Sequence, residues 1–156
     1  MRMSKGVEWA VHTLINLSLL DSDRARVGQL AAAHELPEAY LTKQLQHLVR
    51  AGLLVSTAGP QGGYSLARPV EEITLRDVVE AIEGPAPVFH CAEIRRCGRI
   101  GEFMPPSDGP CAVKVAMHRA ETAWRDALGA ESLGRIRTEL YGKPGVTEVI
   151  RAAFLF

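Results

Sequence analysis

Apolar residues near the start of the chain recur at three- and four-residue steps. Val7, Ala10 or Val11, Leu14 and Leu17 share one face, which predicts a helix over residues 3–20, stopped by Asp21-Ser22-Asp23. A second, short helix is expected from about Val27 to His34, with Leu30, Ala31 and Ala33 available for packing. Leu36-Pro37 opens a third, because proline fits a first helical position. There Leu41, Leu45 and Leu48 form one apolar stripe, and Gly52 terminates the helix. Leu53–Ser56 and Tyr64–Ala67 read as two strands around the glycine-rich turn Ala58–Gly63, a β-hairpin. A fourth helix runs from about Leu75 to Ile82 and ends at Gly84-Pro85. Residues 85–110 hold five prolines, three glycines and no clear period, and read as a loop long enough to wrap something. From Cys111 a long helix runs to about Leu128, with Val113, Met117, Ala120, Trp124 and Leu128 on one seam. After Tyr141 no element can be assigned.

The expected fold is mainly α: a winged helix-turn-helix with a small β-hairpin wing, plus a long C-terminal dimerisation helix. Residues 1–84 form the winged helix-turn-helix, 85–111 a loop, 112–140 the dimerisation helix and 141–156 a tail of unassigned role. A chain of 156 residues with 47% hydrophobic and 23% charged positions suits one domain with an appendage and excludes wholesale disorder. The most apolar run, Trp9 to Leu20, is broken by His12, Thr13, Asn16 and Ser18, so no membrane span is expected. No basic-then-apolar leader is seen, and a cytoplasmic location is expected.

The net charge is zero, and its distribution matters more. Residues 1–70 carry seven Lys/Arg against five Asp/Glu, 71–110 four against eight, and 111–156 seven against five. Two mildly basic ends flank an acidic belt, which allows local phosphate contacts without a strong overall footprint. In a winged helix-turn-helix the second helix of the motif enters the major groove and its first turns meet base edges. The candidates there are Glu38, Tyr40, Thr42, Lys43, Gln44 and Gln46, with His47 and Arg50 nearer the backbone. The hairpin, through Gln61, Gly62, Gly63 and Tyr64, would reach the adjacent minor groove. The plainer alternatives are a three-helix core with a solvated polar face and a protein-docking module.

All three cysteines, Cys91, Cys97 and Cys111, fall within one stretch. An odd, clustered set points to a metal or redox site rather than to a structural disulfide. Cys111 opens a helix whose amides favour a thiolate. Glu8 and His12, four residues apart, project from one helix face. At that spacing they also suit a simple surface pair.

The run Tyr40-Leu41, Leu48, Ala51–Leu54, Gly62–Ala67 and Ile73–Ala81, with three cysteines downstream, resembles the IscR/NsrR family of bacterial transcriptional regulators over roughly residues 1–130. The resemblance implies a homodimeric winged-helix regulator of a double-stranded DNA operator. It also implies an iron–sulfur cluster, bound through the cysteine loop beside the dimer helices, that controls operator affinity. Two features depart from the family pattern. The wing has Ala58-Gly59 where the family carries Arg-Gly, and thirteen residues separate Cys97 from Cys111 where the family spacing is five. The likeness is strongest to the RsrR branch. That branch implies a [2Fe–2S] cluster held by two cysteines of one subunit and by Glu8 and His12 of the other, leaving one cysteine spare. Cys91 and Cys97 compete for the place beside Cys111. The alternatives are a [4Fe–4S] cluster on three cysteines and Glu8, as in nitric-oxide sensors, and a zinc site using His90 or His118. Trp9, between the two helix-1 candidates, is either a core tryptophan or a relay toward the DNA-reading helix. No phosphate loop, dinucleotide fingerprint or nucleophile motif points to an enzyme. A simple electron carrier and a cluster-free adaptor are the competing classes.

Overall fold

The computed structural model describes residues 3–22, 24–103 and 109–155. The chain forms two compact bodies, one comprising the residues up to Pro85 together with those from Leu128 onward, the other Ala86–Ala127.

The first body is built on α1 (Lys5–Leu17), α2 (Val27–Ala32) and α3 (Glu38–Arg50), followed by a hairpin of β1 (Leu54–Thr57) and β2 (Gly63–Leu66) and by α4 (Leu75–Glu83). Leu14, Ile15, Leu41, Leu45, Leu48, Leu53 and Val78 are fully buried and form the centre of its core. The leucine stripe of α3 therefore faces inward, as its spacing predicts. The hairpin is antiparallel, with Ser56 opposite Tyr64 and Thr57 opposite Gly63. Ala25 adds a bridge to Tyr64: the Ala25 N–H donates to the Tyr64 carbonyl at 3.1 Å and the Tyr64 N–H to the Ala25 carbonyl at 2.8 Å. This single bridge explains one wing glycine. Gly63 has φ +148, and a Cβ there would lie 2.6 Å from the Ala25 carbonyl oxygen.

Three boundaries differ from the sequence expectation. α1 ends at Leu17 rather than at residue 20, where the Ser18 N–H turns back to Leu14 and Ile15. α2 ends at Ala32 rather than His34. The Leu36 N–H closes on the Ala31 carbonyl at 2.9 Å, and Glu35 occupies a left-handed conformation (φ 51) that glycine usually fills, so the stop carries no sequence signal. Pro37 caps α3 rather than opening it. α4 follows its expected span closely; the Thr74 hydroxyl accepts from the Asp77 N–H, and the Asp77 carboxylate accepts from the Thr74 N–H at 2.8 Å.

The largest departure lies at the C-terminal end. The span 112–140 is two helices, α6 (Ala112–Ala130) and α7 (Leu133–Tyr141). At Ser132 the chain is pinned to the first body: the Leu75 N–H donates to the Glu131 carbonyl at 2.9 Å and the Leu133 N–H to the Ile73 carbonyl at 2.7 Å. Leu133 is fully buried, and a Cβ on Gly134 would meet the Glu71 Cα at 2.9 Å. α7 is therefore part of the winged-helix core. The unassigned tail forms α8 (Val146–Ala152), and it too docks on this body. The Arg151 guanidinium donates to the Leu19 carbonyl at 2.7 Å and pairs with Asp21 at 2.9 Å. Phe154 is only 7% exposed, and its carbonyl accepts from the Gln29 side chain at 3.0 Å.

The second body holds the cysteine stretch, a short α5 (Gly98–Phe103) where a plain loop is expected, and most of α6. Arg125 donates to the Ala86 carbonyl at 3.1 Å and to Glu121 at 3.0 Å, and Glu121 accepts from the Val88 N–H at 3.2 Å. These bonds strap the proline-rich entry of the loop along α6. Among the described helices none is long and apolar enough to cross a membrane.

Candidate DNA interface and metal-ligand groups

The leucine stripe of α3 leaves Glu38, Tyr40, Lys43, Gln46 and Arg50 exposed, with Thr42 and His47 half-buried. The Thr42 hydroxyl turns back to the Glu38 carbonyl at 2.8 Å, and the Arg50 guanidinium to the Gln46 carbonyl at 3.2 Å. Gln44 is the exception among the sequence candidates. It is 6% exposed, and its amide is directed against α1, where a Cβ on Gly6 would lie 2.9 Å from the Gln44 Oε1. Helical period explains the reversal: Gln44 sits three residues from Leu41 and four from Leu48, on the buried side. In the wing Gln61 is exposed and Gly62, Gly63 and Tyr64 are half-buried. The glycines there serve the backbone: a Cβ on Gly62 would overlap the Thr57 carbonyl.

α1 meets this motif through alternate members of one helix stripe. The Trp9 and Tyr40 rings are edge-on at 5.0 Å between centroids. The His12 and His34 rings lie 6.0 Å apart, and the buried Asn16 side chain bonds His34 Nε2 at 2.7 Å. Desolvation at the His34 ring, and then the neighbouring His12, hold the His34 pKa below the usual histidine value. Tyr40 is in the first turn of α3 and His34 in the turn before it, so α1 touches both. Glu8 is exposed and His12 half-buried.

In the second body Cys91 and Cys111 are half-buried and Cys97 is exposed. Glu93, which sequence reading did not single out, lies between the first two cysteines. Its carboxylate is 3.8 Å from the Cys91 sulfur and 3.1 Å from the Arg95 guanidinium, and its carbonyl is 4.0 Å from the Cys97 sulfur. Arg95, with help from Arg96 and Lys114, holds the Glu93 carboxyl below the usual range. Cys111 precedes the first residue of α6. The amides of Lys114 and Val113 hydrogen-bond its sulfur and lower its pKa, outweighing desolvation, with a smaller contribution from Arg95. His90 and His118 are both exposed. Among the described residues no three His, Cys, Asp or Glu side chains converge as a metal requires.

A helix-turn-helix with a buried leucine stripe, a polar outer face and a hairpin wing is the form of a winged-helix DNA-binding domain. The chain belongs to the Rrf2 family, described as iron-dependent transcriptional regulators, which it matches over residues 3–139. Protein aau3 of Rhizobium meliloti (strain 1021) is 31% identical over 154 residues, spanning 97% of this chain and 96% of its own length. The transcriptional regulator IscR of Cereibacter sphaeroides is 30% identical over 93 residues, 58% of this chain and 60% of its own. The structure of CymR, the global cysteine regulator of B. subtilis, matches with a TM-score of 0.67 at 22% identity, covering 89% of this chain and 98% of that one. The last likeness concerns the fold.

Proposed function

We propose that the chain is a homodimeric, redox-responsive regulator whose operator affinity is set by an iron–sulfur cluster, a [2Fe–2S] centre held across the dimer. The residues available suit such a group. Thiolates are the preferred ligands of iron–sulfur iron, and an imidazole can replace one of them. Cys111 and Cys91 of one subunit, with Glu8 and His12 of the other, supply four places, and the exposed Cys97 is the spare. The observation that carries this reading is the Cys111 thiol at the start of α6, where helix amides favour the thiolate that iron requires. The reading also gives a role to the exposed Val113 and Met117 of α6, four residues apart on one face, which would form the seam between two copies.

A bound cluster would supply a one-electron change of charge. The protein's part is to carry that change from α1 to the DNA. Glu8 and His12 would fix the position of α1 against the partner's loop. Trp9 against Tyr40, and His12 beside His34, connect that helix to the start and to the turn of the DNA-reading motif. A hundredfold switch in operator occupancy needs about 2.8 kcal/mol of difference between the two states. Repacking one aromatic pair, worth about 0.5–1.5 kcal/mol in each of two subunits, is of that order. The groove-facing set is Glu38, Tyr40, Thr42, Lys43, Gln46, His47 and Arg50, with Gln61 and the wing turn alongside.

Anaerobic purification followed by iron and acid-labile sulfide analysis, with visible spectra before and after dithionite, tests the reading. Two irons and two sulfides per cluster, bleaching reversibly, are expected. Four irons per cluster would instead favour a nitric-oxide sensor with three cysteines and Glu8. A colourless protein with zinc or no metal would remove the redox mechanism.

A further inference from the structure

The wing has no charge of its own: residues 54–66 contain no Lys, Arg, Asp or Glu. The segment that pairs with it is Arg24-Ala25-Arg26. Side chains alternate along a strand, so with Ala25 turned into the core at 3% exposure, the two arginines share the outer face. Both are exposed and both reach the wing turn. Arg24 Nη1 donates to the Gln61 carbonyl at 3.1 Å, and Arg26 Nη2 donates to the Pro60 carbonyl. A guanidinium has five N–H donors, so each carbonyl bond leaves others for a second acceptor.

The position of Arg26 adds to this. It caps α2, next to Val27 and Gly28, and a Cβ on Gly28 would lie 3.8 Å from the Glu38 carboxylate at the start of α3. Arg26 therefore stands between the first turn of the DNA-reading helix and the wing turn. An open cleft of about 610 Å³ lies here, lined by Arg24, Arg26, Gln29, Gln61 and Phe154. The described residues that line it include these two arginines and no carboxylate, and the Glu38 carboxylate stands on the α3 side.

We infer that Arg24 and Arg26 are DNA-binding residues, a borrowed cationic pair that contacts backbone phosphates beside the wing, in a hairpin that has Ala58 at its turn. This rests on the DNA-binding reading and extends it to residues outside both the helix and the hairpin. A fluorescein-labelled, random-sequence 30-base-pair duplex, titrated by anisotropy between 50 and 200 mM KCl, tests it without knowledge of the operator. Each phosphate neutralised contributes about −0.9 to the slope of log affinity against log salt. Arg24→Gln and Arg26→Gln should each make the slope shallower by about 0.9 per subunit, as should the control Lys43→Gln on α3. Arg26→Lys keeps the charge and should restore the slope. A salt-independent loss of affinity in Arg26→Gln, with the slope unchanged, would mean that the arginines only brace the turn and would overturn the inference. If Lys43→Gln lowers the slope while both arginine variants keep it, the DNA-binding reading stands and this one fails. A wild-type protein with no salt-dependent binding would remove both.

Discussion

Phe154→Ala tests whether the C-terminal tail is part of the fold. Phe154 is 7% exposed and belongs to the same apolar cluster as Leu30 and Leu20. Truncating a buried phenylalanine to alanine costs about 3–5 kcal/mol. The cleft beside this one is open to solvent, so water can enter the space and the cost should fall near the lower end, about 3 kcal/mol. For a chain of this length each kcal/mol lowers the melting temperature by about 2–4 °C, so a drop of roughly 6–12 °C is expected. Leu155, one residue on, is 82% exposed, and Leu155→Ala should change stability by less than about 0.5 kcal/mol. Gln29→Ala removes the bond to the Phe154 carbonyl and the 3.0 Å bond to the Arg26 N–H, and should lie between the two at about 1 kcal/mol. The assay is thermal denaturation followed by circular dichroism at equal protomer concentration, because any self-association makes melting concentration-dependent. A Phe154→Ala protein that melts with Leu155→Ala would refute the docking of α8 on the winged helix.

Other expectations follow from the same geometry. Thr74→Ala removes the hydroxyl half of the reciprocal cap of α4 and should cost about 1 kcal/mol at pH 7. Although desolvation raises the Asp77 pKa, bonds from Thr74 and the Arg68 charge outweigh it and leave the group below its ordinary value. Its contribution is therefore complete above the unfolded carboxyl pKa and lost as pH falls through the folded one; Thr74→Ala keeps the Thr74 N–H bond and Arg68, so it should flatten the acid limb of a stability–pH curve only in part. Glu35→Gly places glycine at a left-handed residue and should raise stability by about 0.5–1 kcal/mol in urea denaturation. In the metal-free protein at pH 7, Cys111 should react with iodoacetamide faster per unit of exposure than Cys97, and equal rates would contradict the helix-amide effect. Gln44→Ala should lower stability and leave the salt slope of DNA binding unchanged, in contrast to Lys43→Gln.

The parts of the fold visible in the sequence are those where one residue type has one purpose. Leu41, Leu45 and Leu48 repeat at helical steps because they fill a single core. Gly62-Gly63 marks the wing because backbone carbonyls approach too closely for a Cβ. Where two demands compete, the reading fails. Gln44 is polar and lies among groove candidates in sequence, yet the helical phase buries it against Gly6. α5 is six residues long with no buried side chain, so it leaves no periodic trace. α7 and α8 find their partners more than sixty residues away, at Glu71 and Leu19, and that pairing has no local signature. Glu93 was detectable only as an acid between two cysteines. The alternation Arg24-Ala25-Arg26 was a period-two signal, hidden by the shortness of the segment.

The central claim is that the metal site is divided between subunits, and complementation tests it most directly. A Glu8→Ala, His12→Ala protein and a Cys91→Ser, Cys111→Ser protein, each folded by circular dichroism, should separately bind no cluster. Co-expressed with different affinity tags and purified anaerobically as the mixed dimer, they should regain one cluster, with half the iron and sulfide of the wild-type dimer. Full iron in either parent alone, or none in the mixed dimer, would contradict the account.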